Sequence, residues 1–268
     1  MKSKTGTREW SGTQVSIQRG CENNCRYCYA KWNAVYRHKQ CTEFEWPMPI
    51  INQKKVDKKY PLYKDKAVHG GFRYAQPVMF SDRHDITELN ISECLCVIKK
   101  LLDKDNWLVI VTKPRWRVIP LMCETLRDYQ RHIIFRFTIG SVNDEVLKFW
   151  EPGASGFSER LACLQYAYKC GYHTSVSCEP YLDGFVEHIY LATAEFVDES
   201  FWIGTLRNFD SRVNVENMSS DEYRRFVEPL LAASKPEVVR AIYDSMKNKP
   251  LVRWKDSIRK IIPEAINP

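Results

Sequence analysis

Thr13-Gln14-Val15-Ser16-Ile17-Gln18-Arg19 runs directly into Gly20-Cys21-Glu22-Asn23-Asn24-Cys25-Arg26-Tyr27-Cys28-Tyr29. The first seven residues read as a short strand, and the cysteines that follow, spaced C-x3-C-x2-C, fall on one tight loop at its C-terminal end. Three soft thiolates can hold three irons of a [4Fe–4S] cube and leave the fourth iron without a protein ligand. A structural zinc site instead wants a fourth ligand, which Cys41 or His38 could supply. Plain buried thiols are the third reading. The open cluster is preferred, because strand, loop spacing and the pattern of the remaining chain agree.

Outward from this loop, short apolar runs alternate with longer segments of helical spacing. Strands are expected at 13–19, 77–81, 107–112, 133–139, 173–178 and 201–206, with helices near 26–38, 87–103, 117–129, 157–169 and 184–197. Ile91, Leu95, Ile98 and Leu102 form one apolar stripe, and the Thr87 hydroxyl suits an N-cap. Such alternation favours a parallel sheet with right-handed crossovers. Six units predict an α/β fold, a partial (β/α)6 TIM-type barrel, with its chemistry at the C-terminal strand ends. Residues 40–76, with Pro47, Pro49, Pro61 and a lysine cluster over 53–66, read as an insertion that covers the site. From about Ser219 the pattern turns wholly helical. The expected organisation is a barrel over 1–210 and a helical C-terminal cap over 211–268.

The chain has 268 residues, 44% of them hydrophobic and 27% charged, which excludes a disordered polymer and a disulfide-stapled miniprotein. No apolar run is long enough for a membrane span and no secretory signal is visible, so a cytoplasmic protein without a membrane partner is expected. In a reducing compartment the ten cysteines are thiols or metal ligands. A net charge of +7 favours an anionic partner without specifying one.

The cysteine spacing, with aromatic Tyr27 before the third cysteine and a strand before the loop, resembles the radical S-adenosylmethionine (SAM) superfamily over roughly residues 10–210. The resemblance implies that Cys21, Cys25 and Cys28 ligate a [4Fe–4S] cluster whose open iron chelates the amino and carboxylate groups of SAM, with Tyr27 beside the adenine. Glu151-Pro152-Gly153-Ala154-Ser155, Ser158-Glu159-Arg160-Leu161, Thr112-Lys113 and Trp202-Ile203-Gly204 are similar to the group containing spore photoproduct lyase and its relatives. Many members keep a Gly-Gly-Glu stretch for the SAM amino group where this chain has Ser81 and Asp82. Thr112, Lys113 and Glu151 are implied to stand at strand ends and reach the SAM carboxylate or ribose hydroxyls. The lyase carries a hydrogen-donating cysteine some forty residues past its cluster. Here the stretch from about 70 to 80 has none, so repair of thymine-dimer lesions is not expected.

Three further residues are catalytic candidates. Cys178 and Glu179 end the fifth expected strand, where a thiol could donate a hydrogen atom and a carboxylate could move protons; a packed thiol is the alternative for Cys178. His84, between Asp82 and Asp85, could serve as a general base. Cys94, Cys96, Cys123, Cys163 and Cys170 read as core thiols on or beside helices. The expected activity is an enzyme that cleaves SAM reductively, using a flavodoxin- or ferredoxin-like one-electron reductant. A nucleic acid or nucleotide is the first expectation for its substrate, ahead of a small metabolite or peptide. The rival reading is a non-catalytic nucleic-acid-binding module with a structural metal in the cysteine loop.

Overall fold

Ile133-Ile134-Phe135-Arg136-Phe137-Thr138 is buried along its whole length, as a strand covered on both faces must be. In the computed structural model, which describes residues 6–63 and 77–267, this strand is central to a seven-stranded sheet. The strands are β1 (Thr13–Val15), β2 (Gln18–Arg19), β3 (Ile50–Ile51), β4 (Val78–Phe80), β5 (Leu108–Thr112), β6 (Ile133–Thr138), β7 (His173–Cys178), β8 (Ser200–Ile203) and β9 (Val252–Trp254). The large sheet has the order β1-β4-β5-β6-β7-β8-β9, and every neighbouring pair is parallel. β2 and β3 form a separate antiparallel ribbon, so the run expected as one strand over 13–19 breaks at Ser16 and Ile17.

All six expected main-sheet strands are present; the seventh is a correction. The C-terminal segment is not wholly helical, because Val252, Arg253 and Trp254 pair with Phe201, Trp202 and Ile203 of β8. Residues 211–268 thus complete the sheet as well as capping it. A helix at Asp144–Trp150, also unexpected, precedes the expected one at Phe157–Lys169. The helix expected from 87 starts at Ile91 with Asn90 as its N-cap, and Thr87 donates its backbone N–H to the Asn90 side chain. Of the lysine cluster, 53–57 forms a short helix against Ile91–Leu102, while 64–66 lies outside the described residues. Among the described residues no helix is long and apolar enough to cross a membrane.

Strand alternation sorts side chains into two compartments. Val78, Phe80, Leu108, Ile110, Phe135, Phe137, Val176 and Cys178 join the large core under the helices. Met79, Val109, Ile134 and Trp202 point the other way and pack with Trp10 inside the curve of the sheet. Trp10 arrives on the N-terminal segment and meets Trp202 edge-on at 5.9 Å. Lys255, fully buried after β9, sits 3.9 Å from the Trp10 ring centre and donates to Gly6 O at 2.7 Å. Asp256 N donates to Glu9 at 3.0 Å. These bonds fasten the segment before the first strand to the segment after the last. Gly6, Thr7, Arg8 and Trp10 thereby line the inside of the half-barrel, held by residues that follow β9 at the C-terminal strand ends.

Candidate active site

A cavity of about 430 Å³ opens at these ends, and Cys21, Cys25 and Cys28 all line it. The loop that carries them is braced from two directions. On one side Cys21 N donates to Trp46 O at 3.0 Å, and Gly20 (φ +85°) comes so close that an added Cβ would lie 2.6 Å from that oxygen. On the other side the segment after helix Asp144–Trp150 lies across the loop. Arg26 N donates to Trp150 O at 2.8 Å and Gly153 N to Asn23 O at 3.1 Å. A Cβ on Gly153 would stand 2.1 Å from Glu22 O, so only glycine fits. The Glu151-Pro152-Gly153 stretch is thus a clamp on the cysteine loop. Glu151 follows a helix, not a strand end as expected.

The residues behind the loop form one ion-pair network. Asp85 accepts from Lys113 N at 2.6 Å, Asn23 Nδ2 at 2.9 Å and Thr112 Oγ1 at 3.0 Å. Burial works to raise the Asp85 pKa, but Lys113 and these donors outweigh it and hold the carboxyl below its usual range. Glu151, with no exposed side-chain surface, pairs with fully buried Arg160 at 2.5 Å and accepts from the Tyr27 hydroxyl. The Lys113 ammonium lies 3.7 Å from Asp85 and 3.9 Å from Glu151, too long for hydrogen bonds, which leaves it donors to offer a ligand.

Burial pushes all three thiols up, Cys21 to about 12 with Asp85 adding to the rise. Desolvated thiolates need a cation in contact, and a metal supplies it. Among the described residues no three His, Cys, Asp or Glu side chains are grouped to hold one metal ion, as zinc would require. A cube asks something different, since its thiolates bond separate irons. The donor set, its burial and its shared cavity fit that group.

The other expected site residues divide sharply. Tyr27, Asp82, Lys113 and Glu179 line the cavity. Thr112 and Glu151 stand one layer behind it and position Asp85 and Tyr27 instead of reaching a ligand. The Ser81 hydroxyl borders the cavity but is spent inside its loop, donating to His84 O and accepting from the Arg83 and His84 amides. Cys178 is corrected: it shares the core-facing parity of Val176, with no exposed surface, so Ser177 and Glu179 face the cavity in its place. Glu179 pairs with Lys255 at 3.2 Å. All ten cysteines are free thiols; Cys94, Cys123 and Cys163 are buried as expected, Cys170 is half-buried and Cys96 is exposed.

His84 lines the cavity as well, but its ring nitrogens are engaged elsewhere than expected of a general base. Its Nε2 accepts the Ile17 N–H at 3.2 Å and its Nδ1 lies 3.1 Å from Asp85 O, so both ring nitrogens serve the backbone. Burial lowers its pKa to about 4. The fold therefore holds a neutral ring that an unfolded chain would protonate below about 6.5. Stability from this residue is complete above that pH and is lost as pH falls toward 4, by up to about 3 kcal/mol. Urea unfolding across this range should show the loss, and His84→Gln should flatten it. An unchanged slope in the variant would place the acid sensitivity elsewhere.

Asp85, Asn23 and Arg160 are the site residues that the sequence reading did not single out for a role. The signals were the place of Asp85 in the charged loop after β4 and of Arg160 in the Ser158–Leu161 motif; nothing local marks Asn23. Residues 15–197 match the model of the Radical SAM superfamily. The chain belongs to that superfamily. This radical SAM enzyme is similar in structure to a double mutant of spore photoproduct lyase with bound AdoMet and dinucleoside spore photoproduct. The TM-score is 0.52 at 15% identity, over 90% of this chain and 75% of that one. A single mutant of the same lyase gives the same values. SuiB of Streptococcus suis bound to precursor peptide SuiA matches at a TM-score of 0.45 and 11% identity, over 71% of this chain and 40% of that one. No curated protein matches the chain significantly in sequence. At these identities the structural likeness establishes the fold, a partial barrel of the radical SAM kind.

Proposed function

We propose that this radical SAM enzyme carries a [4Fe–4S] cluster on Cys21, Cys25 and Cys28, cleaves SAM reductively and abstracts hydrogen from a nucleotide or nucleic-acid substrate. The observation that carries the reading is the convergence of all three cysteines with Tyr27, Asp82 and Lys113 on one cavity at the strand ends. When bound, the cluster and SAM supply one-electron cleavage of the S–C5′ bond and a 5′-deoxyadenosyl radical, with the electron coming from a flavodoxin- or ferredoxin-like donor.

The chain's own residues bind, orient and exclude water. Lys113 offers its ammonium to the SAM carboxylate. Asp82, whose Oδ1 accepts from Ser16 Oγ at 2.5 Å, offers its second oxygen to the amino group. The Tyr27 ring forms the wall for the adenine, fixed by its hydroxyl on Glu151. Trp46 on the covering segment and Trp10 below narrow the space in which a reactive species meets solvent. The +7 charge supports an anionic substrate. In the lysine cluster, exposed Lys54, Lys58 and Lys59 are available to phosphates, whereas Lys55 is committed to Ser16 O at 2.9 Å.

Anaerobically reconstituted protein, reduced with dithionite and given SAM, should form 5′-deoxyadenosine well above a Cys28→Ala control. Absence of that product from protein with an intact cluster overturns the reading. Colourless protein holding one tight zinc would favour a structural metal module instead.

A further inference from the structure

Arg212 ends the short helix Phe209–Arg212 that follows β8, and its guanidinium lies 5.8 Å from the centre of the Tyr29 ring on the cavity wall. Arg207 lines the same wall and is held by Asp256 at 2.8 Å. Most other cations around this cavity have carboxylate partners, Lys113 with Asp85 and Arg83 with Asp82, and Arg8, which has none among the described residues, is exposed. Among the described residues no carboxylate stands within ion-pair distance of half-buried Arg212. A desolvated guanidinium without a counter-charge is costly to hold, and an anion entering the cavity would remove that cost. Burial and the like charge of Arg207 pull its pKa below the ordinary arginine value against the opposing pull of Cys28, Glu179 and Tyr29; Glu179 itself is paired with Lys255.

We propose that Arg212, with Arg207 beside it, recognises an anionic group of the substrate, a phosphate or a carboxylate. This rests on the radical SAM reading of the cavity. The planar fork of a guanidinium matches the oxygens of either group in a bidentate manner. Position separates this site from the one offered to SAM. Lys113 stands at the end of β5 and Arg212 beyond the end of β8, with β6 and β7 between them in the sheet. The two cations therefore reach the cavity from different strands, Lys113 for the carboxylate of SAM and Arg212, over Tyr29, for the molecule SAM acts on.

The test uses reconstituted protein at constant ionic strength, with inorganic phosphate as the probe followed by phosphorus NMR. Wild-type protein should bind phosphate saturably. Arg212→Gln should weaken it about tenfold or more, the loss expected for a charge-assisted hydrogen-bonded pair. Exposed Lys99→Gln should bind as wild type does. Iron content and SAM affinity of Arg212→Gln should match wild type within about twofold on the same energy scale. Three results overturn the proposal: unchanged phosphate binding in Arg212→Gln; weaker SAM binding with unchanged binding of decarboxylated SAM, which would assign Arg212 to the SAM carboxylate; or loss of iron, which would make it a counter-charge to the cysteine loop. If wild-type protein makes no 5′-deoxyadenosine, the enzyme reading fails, while the phosphate titration still reports on Arg212.

Discussion

Replacing any one of Cys21, Cys25 or Cys28 by Ala should remove the iron and lower 5′-deoxyadenosine formation by at least about a thousandfold, because the acceleration rests on the bound group. The same change at Cys41, Cys163 or Cys170 should leave the iron in place. The contrast follows from position. The first three thiols share the cavity at the strand ends, whereas Cys163 is packed in the main core and neither Cys41 nor Cys170 borders that cavity. Iron counts on all ten single variants decide the matter. Equal loss of iron at Cys41 and at Cys28 would mean that the loop is not the whole ligand set.

Glu151→Ala should be the most destabilising change at the site outside the cysteines. It leaves Arg160, which has no exposed side-chain surface, without its 2.5 Å partner, and it also removes the acceptor of the Tyr27 hydroxyl. Breaking a buried pair from one side costs about 3–5 kcal/mol. Arg160 keeps bonds to Ser155 O and Thr138 O, so the lower end of that range is expected. For a chain of this length the melting temperature should drop by roughly 6–12 °C. The double variant Glu151→Ala/Arg160→Met should recover much of the loss, since it leaves no buried charge unpaired. A single variant within about 1 kcal/mol of wild type in urea unfolding would show that the carbonyls alone satisfy Arg160.

Both predictions rest on residues that were unequally legible. The cysteine loop could be read directly, because a C-x3-C-x2-C spacing after a strand is a local pattern whose chemistry needs no distant partner. Glu151 stood in a motif that could be noticed but not placed. Its helix, Asp144–Trp150, is only seven residues long, and its partner Arg160 lies on the next helix. Cys178 shows the reverse case. The core-facing parity of Val176 already put Cys178 on the helix side of β7, yet its position at a strand end suggested the cavity.

The amino-acid sequence by itself determined the alternating α/β class, six of the seven strands and the three-cysteine loop after the first of them. Each of these is written in a period or spacing within a few residues, and local sterics and hydrophobic burial enforce it. Tertiary structure alone decided the rest. β9 has three residues and no period of its own, and it becomes a strand because β8 offers it an unpaired edge. Trp10 and Glu9 are held inside the half-barrel only because Lys255 and Asp256 meet them from the other end of the chain. Asp85 became the centre of the site only when β5 brought Lys113 and Thr112 beside it and the cysteine loop brought Asn23. Buried charges and hydrogen bonds of that kind take their energy from partners dozens to hundreds of residues away, and no local pattern encodes such a pairing.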